Sequence, residues 1–278
     1  MPFANINNEQ IFYVLHRSKA GENKKTVILI HGAGGNHLSM LPLFNYIKNN
    51  HGRSFNIIAP DLPGHFRSKR LSSFSESGLG NPYGAYNINH FAATIKHLLL
   101  KLQLIYKKNA ILIGHSMGAP VCLCYSSLFP EDVSAIMAIA GCTNITIRDS
   151  FIANLENNFE RTIKLFLKDA YPFGSDIFPA LLDIRRTPPA VVINDFKSIK
   201  SLNKEKTINF NTINNNNIYV HLIYSGSDKI IKENCVISLS KMLKNVKLKK
   251  IASKSHMEML LKNPELDREI DNFLSALF

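Results

Sequence analysis

The sequence predicts an α/β fold, a mostly parallel central sheet with helices on both faces. Three observations lead there. Strand-like apolar runs alternate with helix-like stretches along the chain, the order that a parallel sheet with crossover helices requires. Several of those runs end in turns dense in glycine or polar residues. The chain has 278 residues, 45% of them hydrophobic, which is enough for a sizeable core. We read it as a single domain over residues 1–278, with a helical cap inserted at about residues 143–212.

Strands begin almost at once, within residues 6–15. Residues 27–30 read as a buried strand running into His31-Gly32-Ala33-Gly34-Gly35, a turn rich enough in glycine to expose backbone N–H groups. The next strand, residues 57–59, leads into Asp61-Leu62-Pro63-Gly64-His65-Phe66-Arg67-Ser68. Residues 110–113 then run into Gly114-His115-Ser116-Met117-Gly118, and a helix follows over 119–128 until Phe129-Pro130 stops it. Pro120 is tolerable in a first helical turn, where its missing N–H would lack a partner anyway. A further strand spans 133–140.

The stretch Gly114 to Gly118 reads as a serine nucleophile on a strand-to-helix turn. There the serine backbone is strained so that Oγ projects from the sheet edge, and side chains two residues either side would collide with the crossing backbone. A serine hydroxyl is nearly inert at neutral pH, so this reading needs a base to take its proton and an acid to orient the base. The strand at 218–224 ends in Ser225-Gly226-Ser227-Asp228, which places a carboxylate on the turn. The strand-like residues 246–251 are followed by Ser253-Lys254-Ser255-His256, which places an imidazole after the last strand. The order Ser116, Asp228, His256 is nucleophile, acid, base. The oxyanion donors are assigned to the backbone N–H groups of Ala33 and Met117, the latter at a helix N-terminus whose dipole favours negative charge.

Together these segments resemble the α/β-hydrolases of the compact bacterial carboxylesterase type over nearly the whole chain. His31 to Gly35 resembles the oxyanion loop, Asp61 to Ser68 the loop after the next strand, and Gly114 to Gly118 the nucleophile turn. Gly226-Ser227-Asp228 and Ser255-His256-Met257 resemble the acid and base segments. Ser255 stands where that family usually has glycine, and Phe66 where it commonly has a second one. The resemblance implies hydrolysis of a carboxylic ester through a Ser116 acyl-enzyme, with His256 acting first as base and then as acid and no metal or organic cofactor required. Relatives with dehalogenase or epoxide hydrolase chemistry carry a carboxylate at the serine position, so Ser116 argues for acyl transfer. Alternatives on the same residues are a pimeloyl-acyl-carrier-protein methyl ester esterase, a thioesterase and a cofactor-free lyase. A non-catalytic ligand-binding protein is the alternative from a different class.

Other residues carry weaker signals. His31 and His115 flank tight turns and are expected to brace nearby backbone, as are His65 and Asp61. The Met117 side chain fits either an acyl pocket or plain packing. Within the cap, Ile152, Leu155, Phe159, Ile163, Phe166 and Leu167 recur at helical spacing, and a second helical stretch spans 189–202. On a cap, such a stripe would roof the site and select the acyl chain. Arg185, Arg186 and Asp195 receive no role. Residues 72–84, rich in Ser and Gly, are expected to form a loop at the entrance or a tolerated surface insertion.

Cys122, Cys124, Cys142 and Cys235 show no metal-ligand spacing and are expected as free buried thiols. No stretch approaches the roughly 18 apolar residues of a spanning helix, and no leader pattern opens the chain, so the expectation is a cytoplasmic protein. The formal net charge is +12. Lys96, Lys101, Lys107 and Lys108 fall in a stretch without acidic residues, and residues 241–254 are likewise basic. Either compositional bias, which the tract Asn214 to Asn217 supports, or attraction to an acidic partner such as an acyl carrier protein accounts for this. Nucleic acid is the least fitting partner, because no recognisable motif or aromatic interleaving accompanies the charge.

Overall fold

A computed structural model describes residues 2–19, 24–70, 86–202, 206–261 and 263–277. The loop expected at 72–84 lies outside the described residues.

The chain opens with a hairpin, β1 (Phe3–Ile6) and β2 (Glu9–His16). Asn7 and Asn8 turn it, both at positive φ, as a two-residue turn matching strand twist demands. β3 (Thr26–Ile30), α1 (His37–His51), β4 (Asn56–Pro60), the short β5 (Lys69–Arg70) and α2 (Ile88–Lys101) follow. Next come β6 (Ala110–His115), α3 (Gly118–Leu128) and β7 (Val133–Ile139).

Between β7 and the next strand lie α4 (Asp149–Asn157), α5 (Phe159–Ala170), α6 (Phe178–Ile184), α7 (Pro189–Ser201) and α8 (Phe210–Asn215). The chain finishes with β8 (Tyr219–Tyr224), α9 (Glu233–Ser240), β9 (Val246–Lys250) and α10 (Pro264–Ser275).

The strands form one sheet in the order β1-β2-β4-β3-β6-β7-β8-β9, with β5 paired to β2. Along β4-β3-β6-β7-β8-β9 every pairing is parallel; among the described residues the antiparallel pairings are those of β2 with β1, β4 and β5. Side-chain alternation divides the core into two layers. Ile28, Ile30, Leu112 and Val220 face one layer, which holds α2, α3 and α9, while Val27, Leu29, Ile111 and Ile113 face the other, which holds α1 and α10. Unbroken apolar runs are the consequence of burying both faces of a parallel sheet.

The helices of the insertion carry a third core of their own, including Leu155, Ile163, Leu167, Ile184, Val192 and Phe196. The apolar stripe expected across 152–167 is divided between two helices at Asn158, which leaves helical geometry at φ −151° and caps α5 by accepting from the Arg161 N–H. α8 belongs elsewhere: its Ile213 packs in the layer that holds α3.

The cysteine expectation needs correction. Cys122 and Cys124 are free and buried on α3, but Cys142 and Cys235 form a disulfide. Their separation of 93 residues leaves no local pattern, and the bond joins the exit of β7 to α9, bracketing the whole insertion. Among the described residues, no helix is long and apolar enough to cross a membrane. In the basic tract, Lys247 and Lys249 pair with Glu269 and Lys250 pairs with Glu233.

Candidate active site

Each of the expected functional segments leaves the carboxyl end of a parallel strand, where such sheets place their ligand crevice. Ser116 follows β6 directly and sits at φ 55°. That left-handed geometry costs a serine roughly 1–2 kcal/mol and persists only where its surroundings enforce it. Here the surroundings are backbone. The Ser116 N–H donates to the Ile139 carbonyl at 3.0 Å, and the Ser116 carbonyl accepts from the Ala119 N–H at 3.0 Å. A Cβ on Gly114 would lie 2.2 Å from the Gly118 carbonyl oxygen, and one on Gly118 would lie 2.2 Å from the Ile30 carbonyl oxygen. No L side chain fits either position, which is the steric reason for both glycines.

His256 and Asp228 are brought together from separate loops. The imidazole Nδ1 lies 2.8 Å from Asp228 Oδ2, with both side chains buried. Asp228 Oδ1 accepts from the N–H groups of Ile230 and Ile231 at 2.8 and 2.9 Å. Burial works to raise the Asp228 pKa, but the hydrogen bond and charge of His256, helped by those two N–H groups, outweigh it and hold the carboxyl below the ordinary range. Ser255, in the position of a family glycine, serves the loop differently: its Oγ accepts from the Glu258 N–H and caps the turn after His256.

Ser116 and His256 line one cavity of about 340 Å³. Ala33 lines it too. Gly32 brings the glycine turn against the serine, since a Cβ there would lie 3.0 Å from Ser116 Cβ. The insertion supplies much of the remaining wall, including Ile147, Phe151, Phe166, Ile184 and Phe196. Its helices are also tied to the loops beneath. Met257, next to His256, donates its N–H to the Ala170 carbonyl at the end of α5, at 2.9 Å. The Met117 side chain, by contrast, is fully buried in the core layer that holds α3 and is not part of the cavity wall. Its packing alternative is the one realised.

His31 and His115 brace the loops, as their positions beside tight turns suggest. His31 accepts from the Leu62 N–H through Nε2 and donates through Nδ1 to its neighbour's carbonyl, Gly32 O, which fixes a neutral ring. Burial, and then the nearby His65, push its pKa down to about 3. His115 donates to the His256 carbonyl at 3.3 Å, so the residue before the serine supports the loop of the imidazole. Its pKa is also pushed down to about 3, by burial and then by His256. Asp61 accepts from His37 Nδ1 and from the His37 and Arg67 N–H groups, which pins the loop after β4 to the start of α1.

A family model described as the alpha/beta hydrolase fold matches residues 25–182. The chain belongs to that family. A 2-hydroxy-6-oxononadienedioate/2-hydroxy-6-oxononatrienedioate hydrolase of Pseudomonas putida is 24% identical over 199 residues, 65% of this chain and 64% of that protein, so less than two thirds of the relative is spanned. Two solved α/β hydrolases share the fold over almost their full length. A carboxylesterase of Nitrososphaera gargenis superposes with TM-score 0.75 at 19% identity, covering 99% of this chain and 98% of that one. An esterase of Exiguobacterium antarcticum does so with TM-score 0.76 at 15% identity, again over 99% and 98%.

One residue with a place in this α/β-hydrolase site was not assigned from sequence. Asp195 on α7 is buried and bonds to the glycine turn. A signal for it exists in the spacing: Val191, Val192, Asp195, Phe196 and Ile199 share one face of a 3.6-residue helix with Ser198, so Asp195 is the one acid on a mainly apolar stripe.

Proposed function

We propose that this chain is a serine esterase that hydrolyses a carboxylic ester with a small to medium apolar acyl group. The observation that carries the reading is Ser116, at positive φ on a turn that only glycine neighbours permit, opening into the same cavity as an imidazole held by a buried carboxylate. The helical insertion acts as a cap over that cavity. In this mechanism Ser116 Oγ attacks the ester carbonyl carbon while its proton passes to His256, and negative charge builds on the carbonyl oxygen facing the N–H groups of Ala33 and Met117. Collapse of that intermediate expels the alcohol, which leaves with the proton from His256. Water then attacks the acyl-enzyme, giving its proton to His256, and the carboxylic acid departs as Ser116 is reprotonated. Asp228 holds the ring in the tautomer this shuttle needs and stabilises the imidazolium.

The cavity supports that substrate class. Its volume lies at the small end of ligand pockets, roughly 300–1,000 Å³ in general, and its walls are mainly aliphatic and aromatic. An apolar acyl chain of modest length matches both properties. The decisive experiment is labelling with a fluorophosphonate probe: the folded wild-type chain should label, and Ser116→Ala should not. Absence of labelling in the folded wild type, or equal labelling of the variant, would refute the reading.

A further inference from the structure

Asp195 stands on α7 of the insertion, yet its carboxylate reaches the loop after β3. Oδ2 accepts from the Gly34 N–H at 2.8 Å and lies 2.9 Å from His65 Nε2. The other ring nitrogen of His65 faces the Pro63 carbonyl at 3.1 Å. Both partners are acceptors, so both nitrogens carry hydrogens, and the ring is an imidazolium opposite a carboxylate. Burial acts to lower the His65 pKa, but the charge and hydrogen bond of Asp195 prevail and raise it. The pair is wholly buried, where a hydrogen bond to a charged group is strong and its removal leaves a costly orphan.

A second feature ties the same loop to the insertion. Gly34 lies at φ 63°, and a Cβ there would come within 2.8 Å of Ile184 on α6 and 3.2 Å of Val192 on α7. The loop backbone is therefore pressed against the helices that roof the cavity, one residue after the proposed oxyanion donor Ala33.

We propose that Asp195 is a positioning residue for the oxyanion loop, its carboxylate clamping the Gly34 N–H from the insertion so that seating of the helices fixes the direction of the neighbouring Ala33 N–H. The inference rests on the serine-esterase reading for its catalytic part. Asp195 touches no reacting atom; it acts through the backbone. An oxyanion donor that drifts weakens the transition state more than the ground state, so the effect belongs in kcat rather than KM.

The test uses Asp195→Ala and Asp195→Asn in the full chain, with p-nitrophenyl butyrate as substrate and amide hydrogen exchange across residues 32–37 as the structural readout. In Asp195→Ala the Gly34 amide should exchange about ten- to hundredfold faster, as expected for loss of a bond to a charged acceptor. Its kcat should fall by at least about tenfold with KM changed less than about threefold, a smaller loss than removing an oxyanion donor outright. Asp195→Asn keeps a neutral acceptor for Gly34 and should recover part of both, and it serves as the primary variant if Asp195→Ala does not fold. Unchanged exchange overturns the clamp. Faster exchange with unchanged kcat, or a loss confined to KM, overturns its positioning role. A wild-type chain inert to both substrate and fluorophosphonate would defeat the esterase reading and the catalytic half of this proposal, while the exchange data would still decide the clamp.

Discussion

Asp228 holds His256 with one carboxylate oxygen while its other oxygen accepts two backbone N–H groups, so the acid has no freedom to turn away from the imidazole. That arrangement dictates what an isosteric change does. Asp228→Asn must keep Oδ1 on the N–H groups of Ile230 and Ile231, which turns its NH₂ toward His256 Nδ1 and forces the ring into the tautomer that cannot accept the serine proton. On the proposed esterase mechanism, steady-state kinetics on a short p-nitrophenyl ester should show kcat lower by on the order of 10⁴-fold with the fold retained. A loss smaller than tenfold would mean that Asp228 does not set the tautomer.

His31 and His115 are buried as neutral rings, with pKa values pushed down to about 3, and this links stability to pH. Between about 6.5 and 3 the unfolded chain binds protons at these positions that the folded chain does not. Stability from this source is complete above about 6.5 and is lost as pH falls toward 3, by about 1.4 kcal/mol per pH unit for each ring. Denaturant unfolding at a series of pH values between 7 and 4 should show this decline, and His115→Gln should be less steep than the wild type. Parallel slopes for the two proteins would rule out His115 as a contributor.

The Cys142–Cys235 pair makes a chemical prediction that needs no assay of function. Denatured without reductant, the chain should titrate two thiols, those of Cys122 and Cys124; after reduction it should titrate four. Because the bond closes a loop spanning 93 residues in sequence, its loss should destabilise the protein by about 2–4 kcal/mol, read as a lower urea midpoint for Cys142→Ser. Four titratable thiols from freshly prepared, unreduced protein would contradict the pairing.

What could be read from the sequence and what could not divide along a physical line. Gly114, Gly118 and the apolar strand before them are adjacent, and the strain at Ser116 is a property of that local backbone. Asp228 and His256 were legible because each follows its own strand, and parallel strands deliver their ends to one edge. The disulfide has no such local correlate: Cys142 and Cys235 meet only because β7 and α9 pack together. The apolar stripe at 152–167 shows helical spacing, but the break at Asn158 depends on capping, which periodicity alone does not register. Asp195 has no role legible in sequence, because helical spacing places the acid on a buried face but only the folded chain puts the Gly34 N–H opposite it.

Phe66 offers the remaining test, since the sequence marks it as a departure from a common glycine and the backbone agrees. Its φ is 41°, the region that favours glycine, so the residue carries conformational strain of about 1 kcal/mol or more. Contacts offset it. The ring lies near the guanidinium carbons of Arg186 and Arg67, at 4.9 and 5.3 Å from its centroid, and stacks on His37 at 5.8 Å. Removing the ring while keeping a Cβ forfeits the contacts and retains the strain, whereas glycine forfeits the contacts and releases it. Phe66→Gly should therefore be more stable than Phe66→Ala by about 1 kcal/mol or more, because alanine at a positive φ costs more than the roughly 0.4–1 kcal/mol that glycine's extra freedom gives the unfolded chain. Thermal or urea unfolding of the two variants side by side measures the difference, and a Phe66→Ala protein equal to or more stable than Phe66→Gly would show that the backbone there relaxes out of the left-handed region once the ring is gone.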